Sequence, residues 1–280
     1  MKSRKTYPVV LSVAGSDSSG GAGIQADLKT FAALGVYGAT AITAVTAQNT
    51  QGVHAQFAVP PQMVHDQIVA VIEDLRPSCI KVGMLSNAEI VDSVVYSLGK
   101  YAIPIILDPV IISTSGHSLL LSDAVELLKL RLLPMAMLVT PNIPEMIALT
   151  NMSVTTLEEK IKAAKHLFGY GVKAILLKGG HEDGDSKCDI LFTKSDLGVQ
   201  YKIFSADTIP TCNTHGTGCT LSSAIAAFVA LGCGVEDAIV EAKKFVTQAI
   251  RNGADVAIGK GFGPVNHGFD PKPMILYDVE

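Results

Sequence analysis

The fold class is decided by residues 8–34, PVVLSVAGSDSSGGAGIQADLKTFAAL. An apolar run from Pro8 to Ala14 is followed by a polar, glycine-rich segment, and then by an amphipathic pattern from Gly23 to Leu34. The first run predicts a β-strand, and the second predicts an α-helix with one apolar side. Glycines between a strand and a helix are typical of a tight turn. This stretch therefore predicts one strand–loop–helix unit.

The same alternation continues along the chain. Further strands are predicted over Ala41–Ala47, Ile80–Met84, Ile105–Leu107, Met137–Val139 and Ala174–Leu177, and further helices over Gln62–Leu75, Ala88–Leu98 and Leu157–Phe168. The strands are apolar throughout, as expected of parallel strands that are covered on both faces. Right-handed crossovers between them predict an α/β fold, a three-layer α/β/α sandwich with a mostly parallel central sheet.

The rhythm changes late in the chain. Ile190–Thr193 and Tyr201–Phe204 flank a turn at residues 194–198, which predicts an antiparallel hairpin at the edge of the sheet. Two helices then follow in succession, Cys219–Leu231 and Val235–Asn252. A (β/α)8 barrel is the second interpretation, but it needs about eight regular strand–helix units, and this ending interrupts them.

The composition excludes several classes of function. Hydrophobic residues make up 48% of the chain and charged residues 17%, which is typical of a folded protein. The net charge of −4 argues against binding to nucleic acid or anionic membranes. No apolar run is long enough to span a membrane, and the one after the basic residues 1–5 is too short for a signal peptide. With no linker or internal repeat, residues 1–280 are expected to form a single domain.

The cysteines indicate a reducing environment. The five cysteines are an odd set without CxxC spacing, namely Cys79, Cys188, Cys212, Cys219 and Cys233. This pattern supports neither a disulfide framework nor a zinc site, so a cytoplasmic location is expected.

The segment Asn213–Thr220, NTHGTGCT, directly precedes an apolar helix. Gly216 and Gly218 let the backbone approach a ligand closely, because neither has a Cβ atom. The amides of residues 216–219 would then face a ligand at the positive end of the helix dipole, where phosphate binds well and developing charge is stabilised. A capped helix start with two turn glycines is the structural alternative, and the segment alone does not decide between them.

The glycine-rich loop Gly15–Gly23 excludes two familiar nucleotide sites. It lacks the Gly-Lys-Ser/Thr ending of a Walker A loop. Gly21–Ala26 matches the loose dinucleotide fingerprint, but no acidic residue follows about 20 positions later to bind a ribose. A nicotinamide-dependent oxidoreductase is therefore disfavoured.

Several candidate residues stand at the predicted carboxyl ends of strands, where ligands bind in open parallel sheets. Gln48 ends one strand, and its amide can both donate to and accept from a heteroaromatic ring. Met84 and Val110 are suited to the wall of an apolar ring pocket, although ordinary core positions are the alternative. Asp27 lies one turn into the first helix, where a solvated surface carboxylate is the usual case.

A second set of candidates is suited to a metal-bound nucleotide. Asn142 and Glu145 lie three residues apart after a strand, and Glu145 together with Asp108 supplies carboxylates for Mg2+. Capping of the next helix is the alternative role of Asn142 and Glu145. Lys178 ends another strand, from which an ammonium group can reach a phosphate.

Taken together, these segments resemble the hydroxymethylpyrimidine and phosphomethylpyrimidine kinases of thiamine biosynthesis. The segments that carry the resemblance, in the family's order, are Ala14–Asp27, Thr43–Asn49, Lys81–Leu85, Thr140–Glu145, Lys178–His181, Asn213–Thr220 and Gly261–Val265. The likeness covers roughly residues 8–268, and the ordered set is far more specific than any one motif.

The resemblance implies a ribokinase-like fold and, commonly, a homodimer. It also implies two consecutive phosphorylations by ATP with Mg2+. The first is on the hydroxyl group of the pyrimidine, and the second is on the resulting monophosphate. The residues that it places around the pyrimidine are Gly15, Ala22, Asp27, Gln48, Met84, Val110 and Cys219. It assigns Asn142, Glu145, Lys178 and Thr214 to MgATP, and the amides of Gly216, Thr217, Gly218 and Cys219 to an anion hole.

Cys219 stands where most sugar kinases of the superfamily carry an aspartate base. A thiol at a helix N-terminus can have a lowered pKa and act as a base, and close packing against the substrate is its alternative role. Pyridoxal kinase and a non-catalytic pyrimidine sensor remain the alternative functions. Residues 112–118 are a candidate lid.

Overall fold

The computed structural model describes residues 5–111, 119–180 and 186–278. Its strands are β1 (Lys5–Thr6), β2 (Val9–Asp17), β3 (Tyr37–Asn49), β4 (Gly52–Ala58), β5 (Cys79–Val82), β6 (Ile105–Leu107), β7 (Leu138–Val139), β8 (Ala174–Leu177), β9 (Ser186–Ser195), β10 (Gly198–Asp207) and β11 (Tyr277–Asp278). The candidate lid at residues 112–118 lies outside the described residues.

The α-helices are α1 (Gly23–Ala33), α2 (Pro61–Leu75), α3 (Ala88–Leu98), α4 (Ser122–Leu127), α5 (Ile143–Thr150), α6 (Leu157–Phe168), α7 (Thr217–Ala230) and α8 (Val235–Arg251). A short π-helix (Leu128–Leu132) and a 3-10 turn (Leu133–Met135) continue from α4. In the described part of the chain, no helix combines the length and the apolar character that crossing a membrane requires.

Nine strands form one sheet in the order β10-β9-β8-β7-β6-β5-β2-β3-β4. The pairs from β3 across to β8 are parallel, whereas β9 runs antiparallel to both β8 and β10. The predicted parallel sheet and its late antiparallel hairpin are thus confirmed. The opposite edge holds an unpredicted strand, β4, antiparallel to β3. Strands β1 and β11 form a separate ribbon.

Helices cover both faces of the sheet, which confirms the three-layer sandwich. Successive strand residues belong to opposite cores: Leu107 packs with α2, α3 and α6, whereas Ile106 packs with α1, α7 and α8. This alternation follows from the two-residue period of a strand, and it explains why the central strands are apolar at every position.

Local capping fixes the helices beside the site. In α5, the Asn142 side chain accepts the amide of Glu145, and the Glu145 carboxylate accepts the amide of Asn142, each at 2.8 Å. An equivalent capping box starts α6 at Thr156. These reciprocal bonds satisfy amides that have no partner inside the helix.

Strand β2 is longer than predicted. It continues to Asp17 through a register shift between Ala14 and Ser16, because the backbone of the glycine-rich loop still pairs with β3. The shift allows the chain to bend before α1 begins, and it brings the side chain of Asp17 into the protein, where it is buried.

Candidate active site

A cavity of about 630 Å³ lies at the carboxyl edge of the parallel strands. Of the residues predicted to form a site, those that line it are Gly15, Ala22, Gln48, Met84, Asp108, Val110, Asn142, Glu145, Lys178, Thr214, Gly216, Thr217, Gly218 and Cys219. Asp27 does not line it. Parallel strands present their carboxyl ends at one edge, so distant motifs converge on a single cavity.

The start of α7 presents unpaired backbone amides at the cavity. Gly216 is the N-cap residue, and its φ of +81° places it in the left-handed region that favours glycine. The amide of Thr217 donates to the carbonyl oxygen of Thr214 at 3.2 Å. Within the described residues, no hydrogen bond takes up the amides of Gly216, Gly218 and Cys219. Those of Gly218 and Cys219 lie in the first turn of the helix, where unpaired amides are available to an anion.

Gly216 also packs tightly against the glycine-rich loop. A Cβ atom at this position would collide with the carbonyl oxygen of Gly21 in the glycine-rich loop. A Cβ atom on Gly218 would lie 3.3 Å from the Nζ atom of Lys178. The turn before α7 thus contacts the glycine-rich loop on one side and a cation on the other.

Lys178 is held by the two predicted carboxylates. Its Nζ atom lies 2.7 Å from Asp108 Oδ1 and 3.8 Å from Glu145 Oε2. Burial alone would raise the pKa of Asp108, but Lys178 and Lys81, with a hydrogen bond from Thr140, hold that pKa below its usual range. Burial alone would lower the pKa of Lys178, but Asp108 and Glu145 raise it. Lys178 is therefore charged and available to a phosphate.

Glu145 titrates near neutrality. Burial and the nearby Asp108 raise its pKa to about 7, against the opposing effects of Lys178 and the amides of Asn142 and Ile111. The Glu145 carboxylate also accepts the amide of Asn142 in the capping box of α5. Any metal-binding role would therefore be additional to this capping role.

Asp27 lies behind the cavity and not in solvent. Its carboxylate is fully buried. Lys81 Nζ donates to both carboxylate oxygens, at 3.0 Å to Oδ1 and 2.9 Å to Oδ2. The hydroxyl groups of Ser12 and Ser223 donate to it at 2.5 and 2.6 Å. The usual surface position of an isolated aspartate is therefore not found here, because three donor groups from β2, β5 and α7 surround the carboxylate.

Cys219 lies in the first turn of α7, facing the cavity and otherwise enclosed by protein. Burial raises the pKa of its thiol to about 11, and Asp27 and Asp108 add to that effect, while Lys81 and the amide of Gly23 oppose it. The lowered pKa that a helix N-terminus can give a thiol is thus not found at Cys219. Desolvation outweighs the helix dipole.

The ring pocket is apolar. Ala44, Val53, Met84 and Leu119 are packed together, with Val110 against them. The hydroxyl of Thr43 donates to the carbonyl oxygen of Met84 at 2.6 Å and fixes this segment of the backbone. A Cβ atom on Gly15 would lie 2.9 Å from Met84 Sδ, so the absence of a side chain there leaves room for the methionine.

Polar groups at the pocket come from Gln48. Its side-chain oxygen accepts from Thr46 at 3.1 Å, and its amide nitrogen on the main chain donates to Ser18 at 2.8 Å. The side chain is thus oriented by the strand that carries it and lies on the cavity wall.

The sequence-based analysis missed Asp17 and His215. Asp17 Oδ2 and His215 Nε2 lie 2.8 Å apart, and both side chains are buried. The residues are separated by 198 positions, so neither spacing nor periodicity reveals the pair. Lys81 was named only as part of a motif, and its pairing with Asp27 spans 54 positions.

The part of the cavity around Lys178 also holds unpredicted residues. Lys243 donates to Asp189 at 2.6 Å, and the second oxygen of Asp189 accepts the amide of Gly179 at 3.0 Å. This bond network fixes the backbone that follows Lys178. The apolar lining here comes from Ile209, Val246 and Ile250. His181, next in this loop, lies outside the described residues.

A dedicated metal cage is not found in the described part of the chain: no group of three or more His, Cys, Asp or Glu side chains there could hold an ion. Asp108 and Glu145 supply two carboxylates only. This number fits Mg2+ that is held mainly by phosphate oxygens and water.

The chain is similar to known kinases over almost its whole length. The model of the phosphomethylpyrimidine kinase family matches residues 17–266. The hydroxymethylpyrimidine/phosphomethylpyrimidine kinase of Bacillus subtilis is 44% identical over 259 residues, which cover 92% of this chain and 93% of that protein. A bifunctional thiamine biosynthesis protein of Geobacter sulfurreducens is 46% identical over 259 residues, and the chain spans about half, 52%, of that longer protein.

Solved structures share the fold. The phosphomethylpyrimidine kinase of Clostridium difficile 630 gives a TM-score of 0.76 at 42% identity, covering 87% of this chain and 99% of the other. The pyridoxal kinase of Staphylococcus aureus, solved with AMP-PCP and pyridoxal, gives 0.85 at 30% identity, covering 98% and 100%. The fold is therefore ribokinase-like, as the sequence resemblance implied.

Proposed function

Because the chain belongs to the phosphomethylpyrimidine kinase family, we propose that it uses ATP to phosphorylate 4-amino-5-hydroxymethyl-2-methylpyrimidine, and then phosphorylates the monophosphate to the diphosphate. The two products are intermediates of thiamine biosynthesis. The observation that carries the proposal is the position of the α7 amides. Those of Gly218 and Cys219 face the same cavity as Lys178 and the apolar ring pocket.

The pyrimidine binds between the glycine-rich loop and the apolar wall. Gly15 and Ala22 provide a surface without bulky side chains, Met84 and Val110 contact the ring faces, and the Gln48 amide pairs with polar ring atoms. Asp27 contributes indirectly in this arrangement, since its carboxylate fixes Lys81 beside Cys219.

The nucleotide binds on the other side of the cavity. Asn142, Glu145, Lys178 and Thr214 line the path of its phosphates, and Ile209, Val246 and Ile250 provide an apolar surface for the base. Mg2+, when bound, would neutralise phosphate charge beside Asp108 and Glu145. Two carboxylates next to a lysine suit that partial, hydrated coordination.

In the transfer step, the acceptor oxygen forms a bond to the γ-phosphorus while the bond from that phosphorus to the bridging oxygen of ADP breaks. The amides of Gly218 and Cys219 and the Lys178 ammonium stabilise the charge on the transferred group. The hydroxyl proton of the first acceptor passes to the sulfur of Cys219, which acts as the base in its thiolate form.

Pyridoxal kinase activity is the second candidate. The observation that favours it is the TM-score of 0.85 to the Staphylococcus aureus pyridoxal kinase, although identity to that protein is 30% against 44% for the Bacillus subtilis pyrimidine kinase. We propose pyridoxal as a minor acceptor, because an apolar ring pocket with one amide discriminates weakly between related heteroaromatic rings.

One acceptor panel tests the proposal. Purified protein with MgATP is assayed for ADP release with the hydroxymethylpyrimidine, its monophosphate, pyridoxal and ribose. We expect the highest kcat/KM for the two pyrimidines and none for ribose. A higher kcat/KM for pyridoxal would reverse the ranking, and no turnover with any acceptor would favour a pyrimidine-binding sensor.

Assembly and location are also proposals. We propose a homodimer of single-domain subunits in the cytoplasm. The one sheet that runs from β2 to β10 supports a single domain, and the five cysteines, all free in the structure, suit a reducing compartment. Light scattering of the purified protein tests the dimer.

A further inference from the structure

The glycine-rich loop and the turn before α7 are joined by a buried pair, Asp17 and His215. His215 directly precedes the N-cap residue Gly216, and Asp17 ends β2. His215 Nε2 and Asp17 Oδ2 lie 2.8 Å apart. Since a carboxylate only accepts, the imidazole carries its proton on Nε2 in this contact.

Asp17 organises the loop on its side of the contact. Its carboxylate accepts the main-chain amides of Ser19 at 2.8 Å, Gly21 at 3.2 Å and Ala22 at 2.8 Å. Burial alone would raise the pKa of Asp17, but hydrogen bonds from His215, from the hydroxyl and amide of Ser19 and from the amide of Ala22 lower it to about 2. The carboxylate is therefore ionised at neutral pH.

His215 is fixed on the opposite side. Its amide donates to the carbonyl oxygen of Gly263 at 3.0 Å, and its ring packs where a Cβ atom on Gly21 would otherwise stand. Gly216 has no room for a side chain because the carbonyl oxygen of Gly21 is next to it.

We propose that Asp17 and His215 are positioning residues that hold the acceptor loop in register with the amides of Gly218 and Cys219. This inference rests on the proposed function and adds a role for two residues to which we assign no contact with the transferred phosphoryl group. Both line the cavity, and His215 Nε2 lies 3.4 Å from Nε2 of Gln48, the side chain that we assign to the ring. The pair links Ala22, which faces the pyrimidine, to the helix start that receives the γ-phosphoryl group.

The consequence for the reaction is an alignment effect. Asp17 keeps its loop ordered through its amide contacts even without His215, so binding of each substrate separately should survive loss of the imidazole. What is lost is the fixed distance between acceptor oxygen and anion hole. Misplacement by about 1 Å lowers turnover about 100-fold.

The test uses His215→Ala and His215→Gln, with kcat and both KM values measured for the hydroxymethylpyrimidine and ATP. We expect His215→Ala to lower kcat about 10- to 100-fold with each KM within about threefold, and His215→Gln to recover most of kcat because its amide can still donate to Asp17. Unchanged kcat, or a loss confined to KM, would overturn the inference.

A matched control is His267→Ala. His267 is also a buried histidine that bonds to α7, through Thr220 at 2.9 Å, but among the described residues no hydrogen bond joins it to the glycine-rich loop. The kcat of His267→Ala should fall less than about threefold, although its loss of thermal stability should be comparable to that of His215→Ala. Equal kcat losses in His267→Ala and His215→Ala would assign the effect to general destabilisation and reject the positioning role.

A measurement on the unaltered protein covers the case in which the variants do not fold. Proton NMR of isotope-labelled histidine should show the Nε2–H signal of His215 protected from solvent exchange. Absence of that protection would reject the pair. If the unaltered protein phosphorylates no acceptor in the panel, the proposed function is refuted instead. The NMR measurement still tests the contact between Asp17 and His215 in that case, because it does not depend on activity.

Discussion

Gly216 fits directly against the carbonyl oxygen of Gly21, with no room for a Cβ atom between them. The contact joins the N-cap of α7 to the loop that follows β2, although the two glycines are distant in sequence. It makes glycine necessary at position 216 for two separate reasons, the left-handed backbone and the close approach.

The first prediction separates these reasons. Gly216→Ala should abolish measurable turnover, because the methyl group would push the acceptor loop and the helix start apart. Gly232→Ala is the control: its φ of +92° carries the same backbone strain, but nothing lies within 4 Å of its Cβ position. It should cost about 1 kcal/mol of stability and leave kcat unchanged. Equal kcat for the two variants would contradict the steric argument.

The second prediction concerns the buried ion pair between Lys81 and Asp27. Asp27→Asn should lower the free energy of unfolding by about 3–5 kcal/mol, because the Lys81 charge is left without its partner in the core. Urea denaturation measures this. Glu236→Gln, which breaks an exposed 2.8 Å pair with Lys202, should change it by less than about 0.5 kcal/mol. Similar values for the two variants would mean that solvent reaches the buried pair.

The third prediction uses the two phosphorylations as controls for each other. The first acceptor is a hydroxyl group that must lose a proton, whereas the second is a phosphate oxygen that is already anionic above a pKa of about 6. Cys219→Ser should therefore depress the first phosphorylation far more than the second, with little change in ADP affinity. Equal slowing of both steps would remove Cys219 as the base and leave it a packing role.

The fourth prediction follows from the high pKa of the same thiol. Since that pKa is about 11, the thiolate fraction rises about tenfold per pH unit below it. At saturating ATP, kcat of the first phosphorylation should climb steeply between about pH 7 and pH 9, and Cys219→Ser should flatten the profile. A flat profile for the unaltered enzyme would show that no thiolate is needed.

The fifth prediction concerns Glu145, whose pKa of about 7 is raised by burial. The side chain is protonated below that pH and negatively charged above it, so Mg2+-dependent ADP binding should strengthen about tenfold between pH 6 and pH 8. Calorimetry measures this directly. Glu145→Gln keeps an acceptor for the Asn142 amide and should remove the pH dependence. If ADP binding by the variant still depends on pH, a group other than Glu145 is responsible for that dependence.

The elements with strong local signals could be predicted from the sequence. Helices α3 and α6 and strands β6 and β8 have the predicted boundaries, because apolar periodicity, caps and flanking turns agree there. Strand β4 was not predicted. It lies at an edge, and most of its residues are exposed, so it lacks the apolar pattern that marks the central strands.

The site was predictable as a set of residues but not as a set of interactions. Glycine spacing and strand ends identified the cavity lining, since all the parallel strands end at one edge. The pairing of Asp27 with Lys81 and of Asp17 with His215 depends on contacts between residues far apart in sequence. The thiol of Cys219 shows the same limit, because the helix start is visible in the sequence and the extent of its burial is not.

The walls of the ring pocket and the groups that handle phosphate belong to different loops. Met84 and Val110 follow β5 and β6, whereas Lys178 follows β8 and the free amides open α7. Under the proposed assignment, substitutions in the wall therefore change which ring fits the pocket and leave untouched the loops that hold the transferred phosphoryl group.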